Sequence, residues 1–315
     1  MASESLPAMF QFIDGERYIF FRDPDKVREA LQFQPRAGDI VEVVYPKCGM
    51  QMMQQMIQLI VHDGHCAKDL REFGSRAPFL EDCGGNWPGE KSCTRLFRTH
   101  IRMGRIAVST DAKYVYVARN PWDACYSQYV MNQKMPLRPM RETFDEFLDM
   151  FLEGSLTNGC YFQHVLSGYT RRREPNVFFT TYESMMRDTA ATLLDLADFL
   201  GEMYAERLRK DNGLLATIVR HSTPAFLRSI LEIETREMVS MMFRSPALAS
   251  SGLTERDVGD GTFSLVCRPE VGAWKEVFTQ KQLRRTVSKI EESVGKHFVP
   301  DLWNKEWHEV LQAAL

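Results

Sequence analysis

Three short apolar runs punctuate the first two thirds of the chain: IVEVVY at 40–45, YVYVA at 114–118 and VFFTT at 177–181. Their β-branched and aromatic content and their length predict buried strands. Helical spacing follows the first and third. Met53, Met56, Ile57 and Ile60 recur at i, i+3, i+4 and i+7, and Leu193, Leu196, Ala197 and Leu200 repeat the pattern. Gly201 stands where the second of these helices should be capped. Thr143 and Glu146 have the spacing of a capping box ahead of Phe144, Phe147, Leu148 and Phe151. Leu283, Val287, Ile290 and Val294 mark one more amphipathic face near the end.

Strand–helix alternation of this kind predicts an α/β fold, a single domain with a central parallel sheet flanked by helices. Ligands in such folds bind beyond the carboxyl ends of the strands. Two stretches lack a pattern. Residues 63–92 are rich in Gly and Pro, and residues 234–264 read as a loop region with SPALASSGLT at its centre.

Composition adds limits. At 315 residues with 44% hydrophobic and 26% charged content, the chain has the make-up of an ordinary globular protein. A formal net charge of -3 provides no general attraction for nucleic acid, so an anionic ligand must be held by local cations. The 7 cysteines are odd in number and show no CxxC spacing, which argues against a zinc site or a disulfide framework. The N-terminal stretch is interrupted by Asp14, Glu16 and Arg17, and no run of about 18 apolar residues occurs. A cytoplasmic protein without a membrane span is the expectation.

Two strand ends carry chemistry. After the first strand comes YPKCGMQMM. A strand turning tightly into a helix presents backbone N–H groups and the positive end of a dipole, and Lys47 adds a full charge. Gly49 permits close backbone approach. The order is wrong for a nucleotide triphosphatase, because the lysine precedes the glycine and no Ser or Thr follows to hold a metal. An ordinary strand–helix turn would look similar. After the second strand comes ARNPWDACYSQY, with Arg119 at the strand end, Pro121 and Asp123 in the first helical turn, and Ser127 eight residues after Arg119.

In combination these segments resemble the cytosolic sulfotransferases, which use 3′-phosphoadenosine 5′-phosphosulfate (PAPS). YPKCG, RTHI at 98–101, YVYVARNPWDACYSQY, TTYESM at 180–185 and GAWKEVFT at 272–279 occur in the family's order. The corresponding family motifs are YPKSGTTW, KTH, YVARNPKDVxVSxY, a YED-like segment and RKGxxGDWKNxFT. PKCG and the glutamines near it look like an invertebrate-type member. The motif-bearing core covers about 40–280 of a single sulfotransferase-like domain, 1–315.

The resemblance implies roles residue by residue. His100 is the general base beside the acceptor, with Arg98 in place of the KTH lysine. Lys47 contacts the transferring sulfuryl group and, with Ser127, completes the catalytic set. Cys48, Gly49, Met50, Gln51 and Met52 form the phosphosulfate loop. Arg119 and Ser127 grip the 3′-phosphate, Tyr182 contacts the adenine, and Ser222, Thr223 and Phe226 lie beside it. Cys267, Arg268 and Pro269 match the RKG segment. The implied reaction moves the sulfuryl group from PAPS to a small phenol, alcohol or phenolic amine, releases 3′-phosphoadenosine 5′-phosphate (PAP) and needs no metal. Acceptor-pocket residues are expected within 63–92, 129–140 and 230–265.

Several positions depart from the family pattern. Met50 and Gln51 replace threonines, Met52 replaces a tryptophan, Pro269 replaces a glycine, and Ala273 replaces an aspartate. The pairing motif KxxxTVxxxE retains Lys275 and Thr279 but has Gln280 and Arg284 at its later positions, which implies a monomer or weak homodimer. A catalytically weak PAP-binding protein on the same scaffold is the alternative.

Overall fold

A computed structural model describes residues 10–89, 94–135, 142–242, 260–295 and 298–315. Four parallel strands form the centre: β3 (Ile40–Val44), β4 (Leu96–Thr99), β5 (Lys113–Ala118) and β6 (Val177–Thr181), in the spatial order β4-β3-β5-β6. A hairpin of β1 (Phe10–Ile13) and β2 (Glu16–Ile19) precedes them. A second antiparallel pair, β7 (Glu232–Glu234) with β8 (Thr262–Ser264), lies later in the chain.

The strand order fixes where a ligand can bind. From β3 the chain crosses to β4 at one edge. From β5 it crosses to β6 at the other. The carboxyl ends of β3 and β5 are adjacent in register, yet the segments leaving them run in opposite directions, and this opens a crevice between them. Lys47 follows β3 and Arg119 follows β5, so both stand at that crevice.

All three strands expected from the apolar runs are present, within one residue of the expected bounds. Both faces of the sheet are covered. Every residue of β3 is buried, including Glu42, and so is nearly all of β5. Helix Met50–Val61 buries Met50, Met52, Met53, Met56, Ile57 and Ile60 in the main core. Helix Phe144–Glu153 begins with the expected capping box, in which Thr143 and Glu146 exchange hydrogen bonds. The stretch 63–92 contains the short helices Leu70–Arg76 and Leu80–Cys83. The region expected as a loop at 234–264 instead holds helix Thr235–Met242 and β8 near its two ends; its residues 243–259 lie outside the described residues, as do 90–92 and 136–140 of the expected acceptor segments.

Positions of the pairing motif engage the chain's own last helix, Phe298–Ala314. Lys275 pairs with Glu309 at 2.9 Å, and Arg284 donates to the carbonyls of Ala314 and Leu315.

Candidate functional site

The turn after β3 is the first component. Tyr45 and Cys48 are buried, Lys47 adopts φ +68°, and Gly49 adopts φ +105° as the N-cap of helix Met50–Val61. A left-handed lysine is uncommon, and such conformations persist where surrounding structure enforces them, often at functional sites. No side chain caps this helix and no acidic residue lies in its first turn, so its positive end is left for an anion. Lys47 Nζ donates to the Leu265 carbonyl at 2.8 Å. Burial lowers the Lys47 pKa to about 8, and the Arg119 charge acts in the same direction.

Gly49 is required twice over. Beyond its positive φ, a Cβ there would stand 2.7 Å from Cδ2 of Tyr182. Gly49→Ala is expected to destabilise the protein by about 1–3 kcal/mol, read as a lowered midpoint in urea unfolding. An unchanged midpoint would show that the turn adapts.

Arg119 is the second component. It is 2% exposed, and its guanidinium carbon lies 4.5 Å from the Tyr182 ring centroid. It donates to the carbonyls of Lys47 (3.2 Å), Arg268 (3.0 Å) and Glu270 (3.0 Å), while its Nε is buried without a partner. Ser127, buried in helix Pro121–Gln133, donates from Oγ to the Cys267 carbonyl at 2.6 Å. Tyr182, just past β6, donates to the Pro269 carbonyl at 2.7 Å. Burial pushes its phenol up to about 12, so it remains a donor.

Four elements therefore aim cationic or hydroxyl donors at one segment. The cleft between is lined by Lys47, Gly49, Gln51, Met52, Arg119, Ser127, Tyr182, Cys267 and Pro269 among the residues singled out in the sequence. Pro224, Leu227, Leu265 and Val266 also line it; of these only Leu265 falls within a stretch expected to supply pocket residues.

The remaining residues assigned by resemblance lie nearby but outside the lining. Cys48 and Met50 are buried in the core. The Ser222 hydroxyl is buried without a partner. Thr223 caps helix Pro224–Leu231, and Phe226 stacks on His221 at 4.2 Å. The Arg268 guanidinium turns toward Tyr126, bonding its hydroxyl at 3.1 Å, and pairs with Glu276.

Two buried carboxylates brace this arrangement. Asp123 accepts from the backbone N–H of Gly272 (2.7 Å) and of Trp274 (3.0 Å), and from Asn120 Nδ2 (2.8 Å). Glu183 accepts from the backbone and side chain of Asn120 and from Trp303 Nε1. Asp123 looks in sequence like a residue suited to the helix dipole. Its tie to Gly272 and Trp274, some 150 positions away, has no local signature.

His100 follows β4, at the neighbouring strand end. Three contacts hold it. Its backbone N–H donates to Glu81 Oε1 at 2.7 Å, its carbonyl lies 3.1 Å from His164 Nε2, and its ring Nδ1 lies 2.6 Å from the Val44 carbonyl. A carbonyl can only accept, so Nδ1 carries the proton and Nε2 keeps its lone pair. Burial drives the imidazole pKa down to about 3, and the charges of Arg22, Arg98 and Lys47 act in the same sense. The ring is neutral at physiological pH.

Arg98 is 6% exposed and lies over the rings of Phe79 and Phe73, 4.3 and 5.5 Å from their centroids. Its register partner on β3 is Glu42, whose carboxyl is pushed well up by burial. His164 escapes notice in the sequence because YFQHVLSGY reads as a core helix with one polar residue. Its Nδ1 also lies 2.6 Å from the Tyr116 hydroxyl.

Among the described residues, no group of three or more His, Cys, Asp or Glu is placed to hold a metal ion, and no helix is long and apolar enough to cross a membrane.

A family model described as a sulfotransferase domain matches residues 37–298. The 3-alpha-hydroxysteroid sulfotransferase of Cavia porcellus is 27% identical over 294 residues, which is 91% of this chain and 93% of that protein. Mouse sulfotransferase SULT7A1, solved in complex with PAP, is similar in fold with a TM-score of 0.72 and 21% identity, over 96% of this chain and 100% of that one. Retinol dehydratase, solved with androsterone and inactive cofactor PAP, gives a TM-score of 0.70 and 17% identity, over 92% of this chain and 90% of that one.

Proposed function

From the premise that the chain belongs to the sulfotransferase family and is a PAPS-dependent sulfotransferase, we propose that it transfers the sulfuryl group to a hydroxyl of a small acceptor, with His100 as general base. One observation carries this reading: the Val44 carbonyl fixes His100 in the tautomer whose Nε2 can take a proton.

PAPS supplies the activated sulfuryl group and a phosphate leaving group. The donors found here fit that ligand. Carbonyl oxygens now sit on Lys47, Arg119, Ser127 and Tyr182, and phosphate oxygens are acceptors of the same kind. Arg119 and Ser127 would hold the 3′-phosphate. Tyr182 and Met52 would flank the base. Lys47 and the N-terminus of helix Met50–Val61 would face the 5′ side and stabilise charge developing on the leaving oxygen. His100 Nε2 takes the acceptor proton as the acceptor oxygen bonds to sulfur and the sulfur–phosphate oxygen bond breaks.

The acceptor class is read from similar proteins. The hydroxysteroid and the retinol in the names of similar proteins support an alcohol on an apolar frame. A phenolic amine belongs in the same panel. The test is transfer of labelled sulfate from PAPS to alcohols, phenols and amines. Labelled product with an alcohol or phenol is expected. Tight PAP binding with no acceptor turned over would replace this reading with that of a binding protein.

The Lys47 pKa gives a second check. Its free value of about 8 is depressed, and a bound phosphate would favour the charged form. Binding should therefore take up a proton near and above pH 8. PAP affinity is expected to fall as pH rises from 8, by up to about tenfold per pH unit, as measured by calorimetry between pH 7 and 9.5. Constant affinity across that range would remove Lys47 from the phosphate site.

A further inference from the structure

The main chain at His100 is clamped from both sides. Glu81 takes its N–H at 2.7 Å, and His164 Nε2 meets its carbonyl at 3.1 Å. His164 belongs to helix Tyr161–Tyr169 and is buried, in a T-shaped contact with Tyr45 at 5.4 Å between ring centroids. Its Nδ1 stands 2.6 Å from the hydroxyl of Tyr116 on β5. We propose that Tyr116, His164 and His100 form a one-way chain of hydrogen bonds, in which His164 is the positioning residue that sets where the His100 Nε2 lone pair points. The proposal rests on the reading of His100 as general base.

The direction of the chain follows from counting protons. Burial lowers the His164 pKa to about 3, so the ring is neutral, with one donor and one acceptor nitrogen. The His100 carbonyl can only accept, so His164 Nε2 carries the proton and Nδ1 is bare. A bare buried nitrogen needs a donor. The Tyr116 phenol, which burial keeps protonated, is within reach. The same hydroxyl lies 2.8 Å from the His164 carbonyl, but that carbonyl already accepts from Ser167 Oγ at 2.6 Å. The Tyr116 proton therefore goes to Nδ1. From there the chain continues through His164 Nε2–H to the His100 carbonyl, and through His100 Nδ1–H to the Val44 carbonyl.

The sheet holds both ends of this chain. Tyr116 is the register partner of Val43, one residue before Val44. The helix carrying His164 is drawn tightly onto Tyr116. Gly168 is helical, where glycine is unfavourable, and a Cβ there would stand 2.4 Å from Cδ2 of Tyr116. On another side, Tyr116 stacks on Phe179 with ring centroids 5.4 Å apart. A buried chain of this kind fixes geometry only while every member is satisfied.

The test combines kinetics with nitrogen NMR of the full chain, labelled with ¹⁵N-histidine and assigned by His100→Gln. The acceptor is whichever alcohol or phenol of the panel above gives labelled product. His164→Leu should lower kcat by about 10–10²-fold, with acceptor KM and PAP affinity little changed, because a misplaced base costs rate rather than binding. His164→Gln keeps an N–H near the place of Nε2 and should stay within about threefold of the wild type. In the wild type the His100 nitrogens should read as protonated Nδ1 and bare Nε2, and in His164→Leu they should move toward an average of the two tautomers. Where His164→Leu fails to fold, His164→Asn takes its place, since its shorter amide stops near the position of Nδ1 and falls short of the His100 carbonyl. Unchanged kcat in the folded variant would overturn the proposal. So would equal losses in the leucine and glutamine variants with an unaltered His100 spectrum, or a raised acceptor KM at constant kcat, which would make His164 an acceptor contact. A wild type that sulfates no acceptor would remove the sulfuryl-transfer reading, while the nitrogen shifts still decide whether His164 holds the His100 ring.

Discussion

Replacing His100 by alanine is expected to lower kcat by about 10²–10⁴-fold, the usual contribution of a general base, while PAP affinity changes little. The separation follows from the geometry. His100 stands at the end of β4, and the donors assigned to the nucleotide stand at the ends of β3, β5 and β6 and in helix Pro121–Gln133. A companion expectation concerns pH. With its pKa near 3, the wild-type ring stays neutral from about pH 4 upward. The profile of kcat/KM should therefore show no acid limb near 6.5, the value of an ordinary imidazole. Such a limb would mean that His100 is more solvated than its contacts imply. Loss of PAP binding in the alanine variant, with kcat retained, would remove it from the catalytic role.

Arg119→Ala is expected to act on the nucleotide instead. A hydrogen bond to a charged group contributes about 1.5–3 kcal/mol. Losing a two-pronged contact to a phosphate should thus weaken PAP by about 10²–10³-fold, measured by calorimetry. The lower end of this range is favoured, because the same substitution also releases the carbonyls of Arg268 and Glu270 that Arg119 holds in the unliganded protein. Arg119→Lys restores the charge without the planar fork, so it should recover only part of the affinity. Unchanged PAP affinity in the alanine variant would sink the 3′-phosphate assignment.

The substitutions in the loop after β3 look different in three dimensions. Met50 and Met52 replace polar or aromatic family residues, and both side chains are buried, at 1% and 4% exposure. They build the helix core that holds the turn. Met52 also lines the cleft, where a polarisable thioether can lie against a ring. What remains of the anion site is Lys47, the uncapped helix N-terminus, and the groups from β5 and β6.

Much of this was legible in one dimension. Apolar runs gave β3, β5 and β6, because a strand buried on both faces has no polar positions to interrupt it. The capping box at Thr143 and the methionine spacing of Met50–Val61 are local rules, and local rules survive folding. Lys47, Arg119 and Ser127 were found because their neighbours in sequence repeat a family pattern. Two elements had no such support. β4 is four residues long, LFRT, too short and mixed for any periodicity. The hairpin Phe10–Ile19 carries its strands in four-residue pieces.

Contacts between distant segments were decided only by the tertiary structure. The pattern placed a histidine after RT, but the Val44 carbonyl that selects its tautomer lies on a different strand. Asp123 reads as a helix-start residue until Gly272 and Trp274 arrive at it. Cys267, Arg268 and Pro269 match a family segment, yet nothing in the sequence signals that Leu265–Glu270 meets Lys47, Ser127, Arg119 and Tyr182, because what it presents to them is main-chain carbonyl, which every residue carries. Side-chain type determines which groups can bind an anion. Only the path of the backbone determines which acceptor reaches them first.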